Sequence, residues 1–313
     1  MTDLLTLAKQ VLICYISNGN TGNCYEIFTY LEDLRTMGLT DEQLDQLQPL
    51  LERILQANGK PQAAQKIRSA IPFTKGCPLG TGLYIDGKKV ISLKNVTQDD
   101  GYGDTADKMY VMEDGSELGE SIEGGKPFDK LEKCISNPTC TRFGCEQLIP
   151  QFKKIAEQAV VDYKAEMRLK HGDSEEGWPS RVKTKAALDA CNKVAILTAE
   201  NFNALPEEER QRRMSDILRC EQGKLTADFL RMVNKGCTES KLYKLTQKSI
   251  DRCNPTLKVN GVFLDMYLDN KKIGQTQVKF NNGVYHKGKT SSIYTSWNAT
   301  AYLTCLFDLT PVE

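Results

Sequence analysis

Residues 106–125 contain the acidic side chains whose types and spacing could do chemistry. Asp107 stands before a short apolar run, and Glu120 and Glu123 lie on the run that follows a turn at residues 113–116. Carboxylates on neighbouring strands can converge on one point, and Mg²⁺ prefers convergent oxygen ligands. A bound Mg²⁺ lowers the pKa of its water and orients that water for attack on a phosphodiester. The pattern therefore predicts a metal site on a β-hairpin.

Strand geometry decides which of these residues can act together. Side chains alternate along a strand, so Ser121 and Glu123 share one face and Glu120 points to the other. We expect Asp107 and Glu123 to lie side by side and hold the metal, because two close carboxylates resist joint ionisation unless a cation lies between them. Ser121, or Glu120 shifted by a β-bulge, would complete the site. The predicted catalytic residues are thus Asp107, Glu120, Ser121 and Glu123.

The elements that must position this hairpin follow from local patterns. Residues 3–70 have helical apolar spacing, with a capping box at Thr40 and Gln43. Residues 81–96 predict two strands joined at Asp86-Gly87, and residues 109–112 and 118–122 predict the hairpin that carries the acids. Residues 128–135 predict a short helix after the hairpin.

The rest of the chain returns first to helix and then to strand. Helices are expected at residues 147–169, 182–199, 206–220 and 225–234, and strands at residues 256–268, 271–280 and 292–309. This order predicts an α+β (mixed α/β) fold, with a central mixed sheet flanked by helices. We predict a helical N-terminal region at residues 1–70. Residues 71–313 would form an α/β core that ends in a β-rich region.

The hairpin and its surroundings resemble the core of the PD-(D/E)XK nuclease superfamily, to which type II restriction endonucleases belong. The resemblance lies in Asp107 with its strand, the segment from Gly119 to Gly125, and the helix expected from Phe128. It implies a mixed sheet with flanking helices and a Mg²⁺-dependent, sequence-specific cleavage of double-stranded DNA. By resemblance, Asp107 is the metal-binding acid, Ser121 stands where a second acid usually stands, and Glu123 stands where lysine usually stands.

Two alternatives remain open because most members of this superfamily carry lysine at the position of Glu123. Some members use an acid there, so the chain can be an active endonuclease. It can equally be a non-catalytic nucleic-acid-binding or adaptor protein with a degenerate nuclease fold. A homodimer is expected for the active form, because a two-fold symmetric protein cuts both strands of a symmetric site.

A second hairpin carries a similar set of residues. Asp265 lies on one predicted strand, and Gln277 and Lys279 lie on the next, after the turn at Asp269-Asn270. Asp265, Gln277 and Lys279 are therefore the alternative catalytic set. The first hairpin is favoured because a glycine step and a predicted helix follow it.

The stretch after the second hairpin is the predicted DNA-reading surface. It combines lysines with hydroxyl and aromatic side chains, which contact phosphates and base edges. The predicted DNA-binding residues are Lys287, Lys289, Ser291, Ser292 and Tyr294.

Composition narrows the remaining function classes. The 41 basic and 41 acidic residues give a formal net charge of zero, which argues against a purely electrostatic DNA binder. The chain has no phosphate-binding P-loop motif, and its 11 cysteines form no Cys-x-x-Cys pair, so neither a P-loop nucleotide hydrolase nor a common zinc site is expected. The N-terminus lacks the basic start of a signal peptide, so we expect a cytoplasmic protein.

Overall fold

The computed structural model describes residues 3–16, 23–96, 106–125, 132–175, 178, 184–219, 227–248, 253–281, 283–286 and 289–312. It confirms the predicted α+β class. The chain divides into two compact units. The first comprises residues 1–131, 222–247 and 307–313, and the second comprises residues 132–221 and 248–306. The boundary predicted at residue 70 lies inside the first unit.

The first unit begins with the predicted helical region. Its helices are α1 (Leu4–Ile13), α2 (Asn23–Met37), α3 (Asp41–Asp45), α4 (Gln48–Asn58) and α5 (Pro61–Lys75). The capping box is confirmed: Thr40 Oγ1 accepts from the Gln43 amide at 3.3 Å, and Gln43 Oε1 accepts from the Thr40 amide at 3.0 Å. Helix α4 ends at Gly59, whose φ of 59° is easiest for glycine. Helix α5 continues through Pro72 to Lys75, beyond the predicted end at residue 70.

A seven-stranded mixed sheet packs against these helices. Its strands are β1 (Tyr84–Ile85), β2 (Lys88–Asn95), β3 (Lys108–Met112), β4 (Glu117–Gly124), β6 (Ala227–Val233), β7 (Ser240–Gln247) and β14 (Phe307–Pro311). They lie in the order β1-β2-β3-β4-β6-β7-β14, and β4 and β6 pair in parallel while the other neighbours are antiparallel. Apolar side chains from one face of this sheet share a buried core with the helices; examples are Leu93, Tyr110, Met112 and Phe229. The helices therefore cover that face.

Two segments of predicted helix are strands, and each has a non-local cause. Residues 225–234 contain β6, which is buried along most of its length between β4 and β7. A strand buried on both faces is a continuous apolar run, which local periodicity does not distinguish from a helix. The helix predicted at residues 128–135 was also wrong: β5 (Glu132–Ser136) pairs with the strand Asn298–Tyr302, far away in the sequence. Residues 126–131 lie outside the described ranges.

The second unit has its own sheet and helices. Strands β8 (Pro255–Asn260), β9 (Phe263–Leu268), β10 (Lys271–Gln277) and β13 (Asn298–Tyr302) pair with β5 in the order β5-β13-β10-β9-β8. The helices are α6 (Ile149–His171), α7 (Lys185–Ala204), α8 (Glu207–Arg219) and the short α9 (Leu303–Leu306). A separate two-stranded ribbon consists of β11 (Tyr285–His286) and β12 (Lys289–Thr290).

Side chains of α7 and α8 cover the backbone of the edge strand β8. Asn203 donates to the Leu257 carbonyl at 2.8 Å and accepts from the Leu257 amide at 2.9 Å, and Arg210 donates to the Pro255 carbonyl at 3.0 Å. The strand predicted at residues 256–268 is two strands, because Gly261 turns the chain with a φ of 61°. No described helix has the length and apolar character needed to cross a membrane.

Candidate active site

The hairpin of β3 and β4 is the predicted one, and its register is explicit. Lys108 pairs with Glu120, Tyr110 with Leu118, and Val111 with Glu117. The paired residues end at Lys108 and Glu120, and the Asp107 amide also donates to the Glu120 carbonyl at 2.8 Å. Asp107, one residue before β3, therefore lies against β4 at this end of the hairpin.

The Asp107 carboxylate is joined directly to the next strand. Its Oδ2 accepts from the Ser121 hydroxyl at 3.1 Å and from the Ile122 amide at 2.5 Å. Ser121 is fully buried, and Asp107 is half-buried. The structure thus brings together two of the predicted site residues, and it fixes the orientation of the Asp107 carboxylate through one side-chain and one backbone donor.

Glu123 lies on the same face as Ser121, as strand alternation predicts, and it is half-buried. Glu123 lies two residues beyond Ser121 along β4. The hydrogen bonds described for the Asp107 carboxylate go to Ser121 and to the Ile122 amide, so a position directly beside Glu123 stays a prediction.

Glu120 points to the opposite face of the hairpin and is fully buried under the helices. The pairing of β4 with β6 shifts between Gly119 and Glu120, but this irregularity leaves Glu120 on the helix side. There it accepts a hydrogen bond from the Tyr110 hydroxyl, and its Oε1 lies 2.9 Å from Lys108 Nζ. Glu120 therefore belongs to a separate cluster and does not join Asp107 through its carboxylate.

This second cluster, which we call the charge network, joins α2 to the sheet. Its members are polar side chains that converge under the helices; they are Glu32, Asp33, Lys108, Tyr110, Glu120, Arg231 and Ser240. Lys108 and Glu120 are completely buried, and Asp33 and Arg231 are nearly so. Three carboxylates and two cations thus meet in a region from which water is largely excluded.

Arg231 uses all of its nitrogen atoms in this network. Nε lies 3.1 Å from Glu120 Oε1, and Nη2 donates to Asp33 Oδ1 at 2.9 Å and to the Tyr110 hydroxyl at 2.9 Å. Nη1 donates to Glu32 Oε2 at 3.0 Å and to the Ser240 hydroxyl at 3.3 Å. A planar guanidinium fits such a ring of acceptors because its donors diverge in fixed directions.

The electrostatics of the network follow from this pairing. Burial alone would raise the pKa of Asp33, but the charges of Arg231 and Lys108 outweigh burial and hold that pKa below its usual value. Burial raises the pKa of Tyr110 well above its usual value, and the neighbouring carboxylates add to the effect. Arg231 stays charged, since its carboxylate neighbours more than compensate for burial and raise its pKa. The stable form therefore has ionised Asp33 and Arg231 with neutral Tyr110.

Acid should weaken the first unit through Asp33. Because the folded-state pKa of Asp33 is lowered, its contribution to stability is present above the unfolded-state pKa of 3.8 and is lost as pH falls through the folded-state value. We expect the free energy of unfolding to decline steeply below about pH 4. Denaturant titrations between pH 3 and 6 measure this. Asp33→Asn should be less stable at pH 6 and less sensitive below pH 4; an unchanged acid dependence in that variant would contradict the assignment.

Gly124 ends β4 beside Glu123 and allows close contact with α2. A Cβ at position 124 would overlap the Tyr25 ring at Cγ, near the fixed end of that side chain. Tyr25 is held in turn by a hydrogen bond from Lys66. We expect Gly124→Ala to lower the free energy of unfolding by about 1–3 kcal/mol, because either Tyr25 or β4 must move. Gly115→Ala at the exposed turn is the comparison without steric overlap: nothing lies within 4 Å of that Cβ, and the cost there comes from backbone strain at its φ of 80°.

The alternative hairpin does not assemble its predicted set. The register pairs Asp265 with Gln275 and places Gln277 opposite Phe263. Asp265 instead forms an ion pair with Lys272 at 2.8 Å. Lys279 lies beyond β10 and donates to Asn298 at 2.6 Å. Asp265 and Lys279 thus have different partners, although Gln277 stays on the face of Asp265.

The predicted DNA-binding residues are only partly described. Lys287 lies outside the described ranges, and for Lys289 the structure gives the backbone pairing of β12 alone. Ser291, Ser292 and Tyr294 are half-buried. The Ser292 hydroxyl accepts from Thr295 at 2.9 Å, so part of this hydroxyl surface already has partners inside the second unit.

Sequence reasoning missed the charge network, although one signal was present. Lys108 shares its strand face with Tyr110 and Met112, and Arg231 interrupts the apolar run of β6. A charged residue on the buried face of a strand requires a partner, because an unpaired buried charge is very costly. That signal marks Lys108 and Arg231 as buried, but it does not identify Asp33 or Glu120 as their partners.

The donor atoms near Asp107 suit a hard cation. Two carboxylates and a hydroxyl supply only oxygen, and Mg²⁺ is commonly held by one or two carboxylates together with water and substrate phosphates. Among the described residues, no group of three or more histidine, cysteine, aspartate or glutamate side chains is arranged to hold a metal. The assignment of Asp107 and Glu123 as carboxylate ligands, with Ser121 completing the site, stays a prediction.

No protein-family model, curated protein or solved structure matches the chain.

Proposed function

We propose that the chain is a Mg²⁺-dependent, sequence-specific endonuclease for double-stranded DNA, of the type II restriction kind, acting as a homodimer in the cytoplasm. The observation that carries the proposal is the link between Asp107 and Ser121 across the hairpin, with Glu123 on the same face. The mixed sheet is the fold that the nuclease resemblance implies. Residues 132–136, where the resemblance implied a helix, form strand β5, so the support comes from the residues around Asp107.

The residues around Asp107 would have separate roles in phosphodiester cleavage. The Ser121 hydroxyl and the Ile122 amide donate to Asp107 Oδ2 and so fix the orientation of this carboxylate. Glu123 supplies a second carboxylate that can accept a proton from the attacking water. Mg²⁺, when bound by Asp107 and Glu123, would stabilise the negative charge that develops on the phosphate. The charge network on the other face would hold the hairpin against α2.

The second unit would contribute DNA contacts. Lys287 and Lys289 would contact phosphates, and Ser291, Ser292 and Tyr294 would reach sugars or base edges. Ser291, Ser292 and Tyr294 are half-buried, and the Ser292 hydroxyl accepts a hydrogen bond from Thr295. A sequence-specific endonuclease needs such contacts to base edges, because contacts to phosphates do not distinguish one DNA sequence from another.

The direct test is digestion of several phage and plasmid DNAs with the purified protein. We expect discrete fragments with Mg²⁺ and intact DNA when EDTA replaces it. Fragments that are discrete rather than smeared would indicate sequence specificity. Uncut DNA across several substrates and divalent metals would contradict the enzyme proposal and favour the non-catalytic alternative, which binding of the same DNAs without cleavage would then support.

A further inference from the structure

Tyr30 joins helix α2 to the backbone of the candidate site. Its side chain is fully buried, and its hydroxyl donates to two carbonyl oxygens, that of Lys94 at 2.9 Å and that of Asp107 at 3.2 Å. Lys94 is near the end of β2, and Asp107 comes directly before β3. Burial raises the pKa of Tyr30 well above its usual value, and neighbouring carboxylates add to the effect, so the hydroxyl stays a donor. One side chain of α2 thus holds the end of β2 and the start of β3 together.

Asp33 lies three residues after Tyr30 and holds the next residue of the hairpin. Residues three apart share one face of a helix. The Asp33 carboxylate pairs with the Lys108 ammonium, which also lies 5.2 Å from the centre of the Tyr30 ring. Helix α2 therefore holds two consecutive residues, Asp107 through its backbone and Lys108 through its side chain. Because side chains alternate along an extended chain, burial of Lys108 under α2 favours the opposite face for the Asp107 carboxylate, which there accepts from the Ser121 hydroxyl.

The hydrogen bonds of Asp107 come from two different elements. Its amide donates to the Glu120 carbonyl at 2.8 Å, and its carboxylate accepts from the Ser121 hydroxyl and the Ile122 amide, so these bonds all join it to β4. The bond from the Tyr30 hydroxyl to the Asp107 carbonyl joins it to a helix instead. The backbone that carries the carboxylate therefore cannot shift along β4 without breaking a bond from a buried hydroxyl, and a buried polar group is costly to leave without its partner.

We propose that Tyr30 is a positioning residue that sets the affinity of the Asp107 carboxylate for a divalent cation, an inference that rests on the proposed function. A ligand binds a metal tightly when its orientation is fixed in advance, and loss of a group that orients a ligand typically costs about 10- to 100-fold in metal affinity or activity. The Tyr30 hydroxyl contacts the backbone of Asp107 rather than its carboxylate. We therefore expect an effect of about 10-fold, at the lower end of that range.

Tyr30→Phe removes the hydroxyl and keeps the ring. The ring retains its place beside Lys108 and its contact with Tyr15, whose ring centre lies 6.5 Å away. Tyr15→Phe is the matched control, because Tyr15 belongs to the same buried core and its hydroxyl donates to Glu26 at 2.8 Å rather than to the hairpin. Each variant loses one hydrogen-bonded hydroxyl from this core, so we expect a similar loss of stability in both. Only Tyr30→Phe should change metal binding.

Binding of Mn²⁺ to the full-length protein tests the inference without DNA. Mn²⁺ takes the same oxygen ligands as Mg²⁺, and the electron paramagnetic resonance signal of free Mn²⁺ falls as the ion binds. We expect a Mn²⁺ site that Asp107→Asn removes. Tyr30→Phe should raise the Mn²⁺ dissociation constant by about 10-fold, and Tyr15→Phe should leave it unchanged. Circular dichroism checks that each variant is folded.

Three results separate the role of Tyr30 from its alternatives. Equal Mn²⁺ dissociation constants for Tyr30→Phe and Tyr15→Phe would show that Tyr30 only stabilises the core, and the inference would be wrong. It would also be wrong if the native protein holds no Mn²⁺, or if Asp107→Asn binds the ion as tightly as the native protein. The expected Mn²⁺ pattern together with uncut DNA would contradict the proposed endonuclease and leave the role of Tyr30 supported.

Discussion

Replacing Arg231 with methionine is expected to destabilise the first unit by about 3–5 kcal/mol. The side chain lies within 3.2 Å of Glu120, Asp33 and Glu32 oxygen atoms. Methionine fills a similar volume but leaves three carboxylates, two of them nearly or fully buried, with Lys108 as the remaining cation of the network. Loss of one partner from a buried pair is costly mainly because the other charge stays behind without compensation.

Hydrogen exchange is the suitable measurement because both tryptophans, Trp178 and Trp297, lie in the second unit. Tryptophan fluorescence therefore reports on that unit and not directly on the network. Amides of β3, β4 and β6 that open by global unfolding should exchange roughly 10²- to 10⁴-fold faster in the variant, since each 1.4 kcal/mol corresponds to a factor of ten. Unchanged protection of these strands would contradict a structural role for Arg231.

Two control variants separate charge from position. Arg231→Lys keeps the positive charge but loses the planar set of donors, so we expect an intermediate loss. Lys88→Met removes an exposed ion pair between β2 and Asp114 in the turn that joins β3 to β4. Such a pair adds little net stability, because it costs side-chain entropy and is screened by solvent. Protection of β3 and β4 should change little in that variant. If Lys88→Met is as damaging as Arg231→Met, burial is not the cause of the effect.

Local signals in the sequence predicted those parts of the fold that local interactions form. The turn at Asp86-Gly87 has positive φ at both residues, and so does the turn at Asp269-Asn270, as two-residue hairpins require. The capping box at Thr40 is complete within four residues. Strand alternation correctly separated Glu120 from Ser121 and Glu123. Each of these predictions uses neighbours a few residues apart.

Non-local pairing explains what the sequence did not reveal. Strand β4 ends at Gly124, and its parallel partner β6 begins at Ala227. The local sequence of β6 does not reveal that this segment lies between two strands. Its leucine and methionine residues have high helix propensity, so the prediction was a helix. The charge network has the same origin, because Asp33, Glu120 and Arg231 meet only when α2, β4 and β6 pack together. The hydrogen bond from Ile122 to Asp107 depends on hairpin register, which turn length fixes but alternation alone does not.

Asp107→Asn is expected to reduce DNA cleavage by at least about 10²-fold while the fold is retained. An asparagine carbonyl can replace Oδ2 as the acceptor for Ser121 and Ile122, so the hairpin keeps its local hydrogen bonds. What the variant lacks is the negative charge that would hold Mg²⁺. Single-turnover cleavage across a range of Mg²⁺ concentrations measures this. Partial recovery at high Mg²⁺ would indicate weakened metal binding, and circular dichroism checks the fold.

Two matched variants serve as controls for Asp107→Asn. Asp114→Asn removes an acid at the exposed turn of the same hairpin and should leave cleavage unchanged, because Asp114 bonds only to Lys88 and Ser116 among the contacts described. Asp265→Asn removes the acid of the alternative hairpin. If Asp265→Asn abolishes cleavage and Asp107→Asn does not, the second unit carries the chemistry. Loss with Asp107→Asn alone would assign it to the hairpin of β3 and β4, where the carboxylate, the buried hydroxyl and Glu123 share one face.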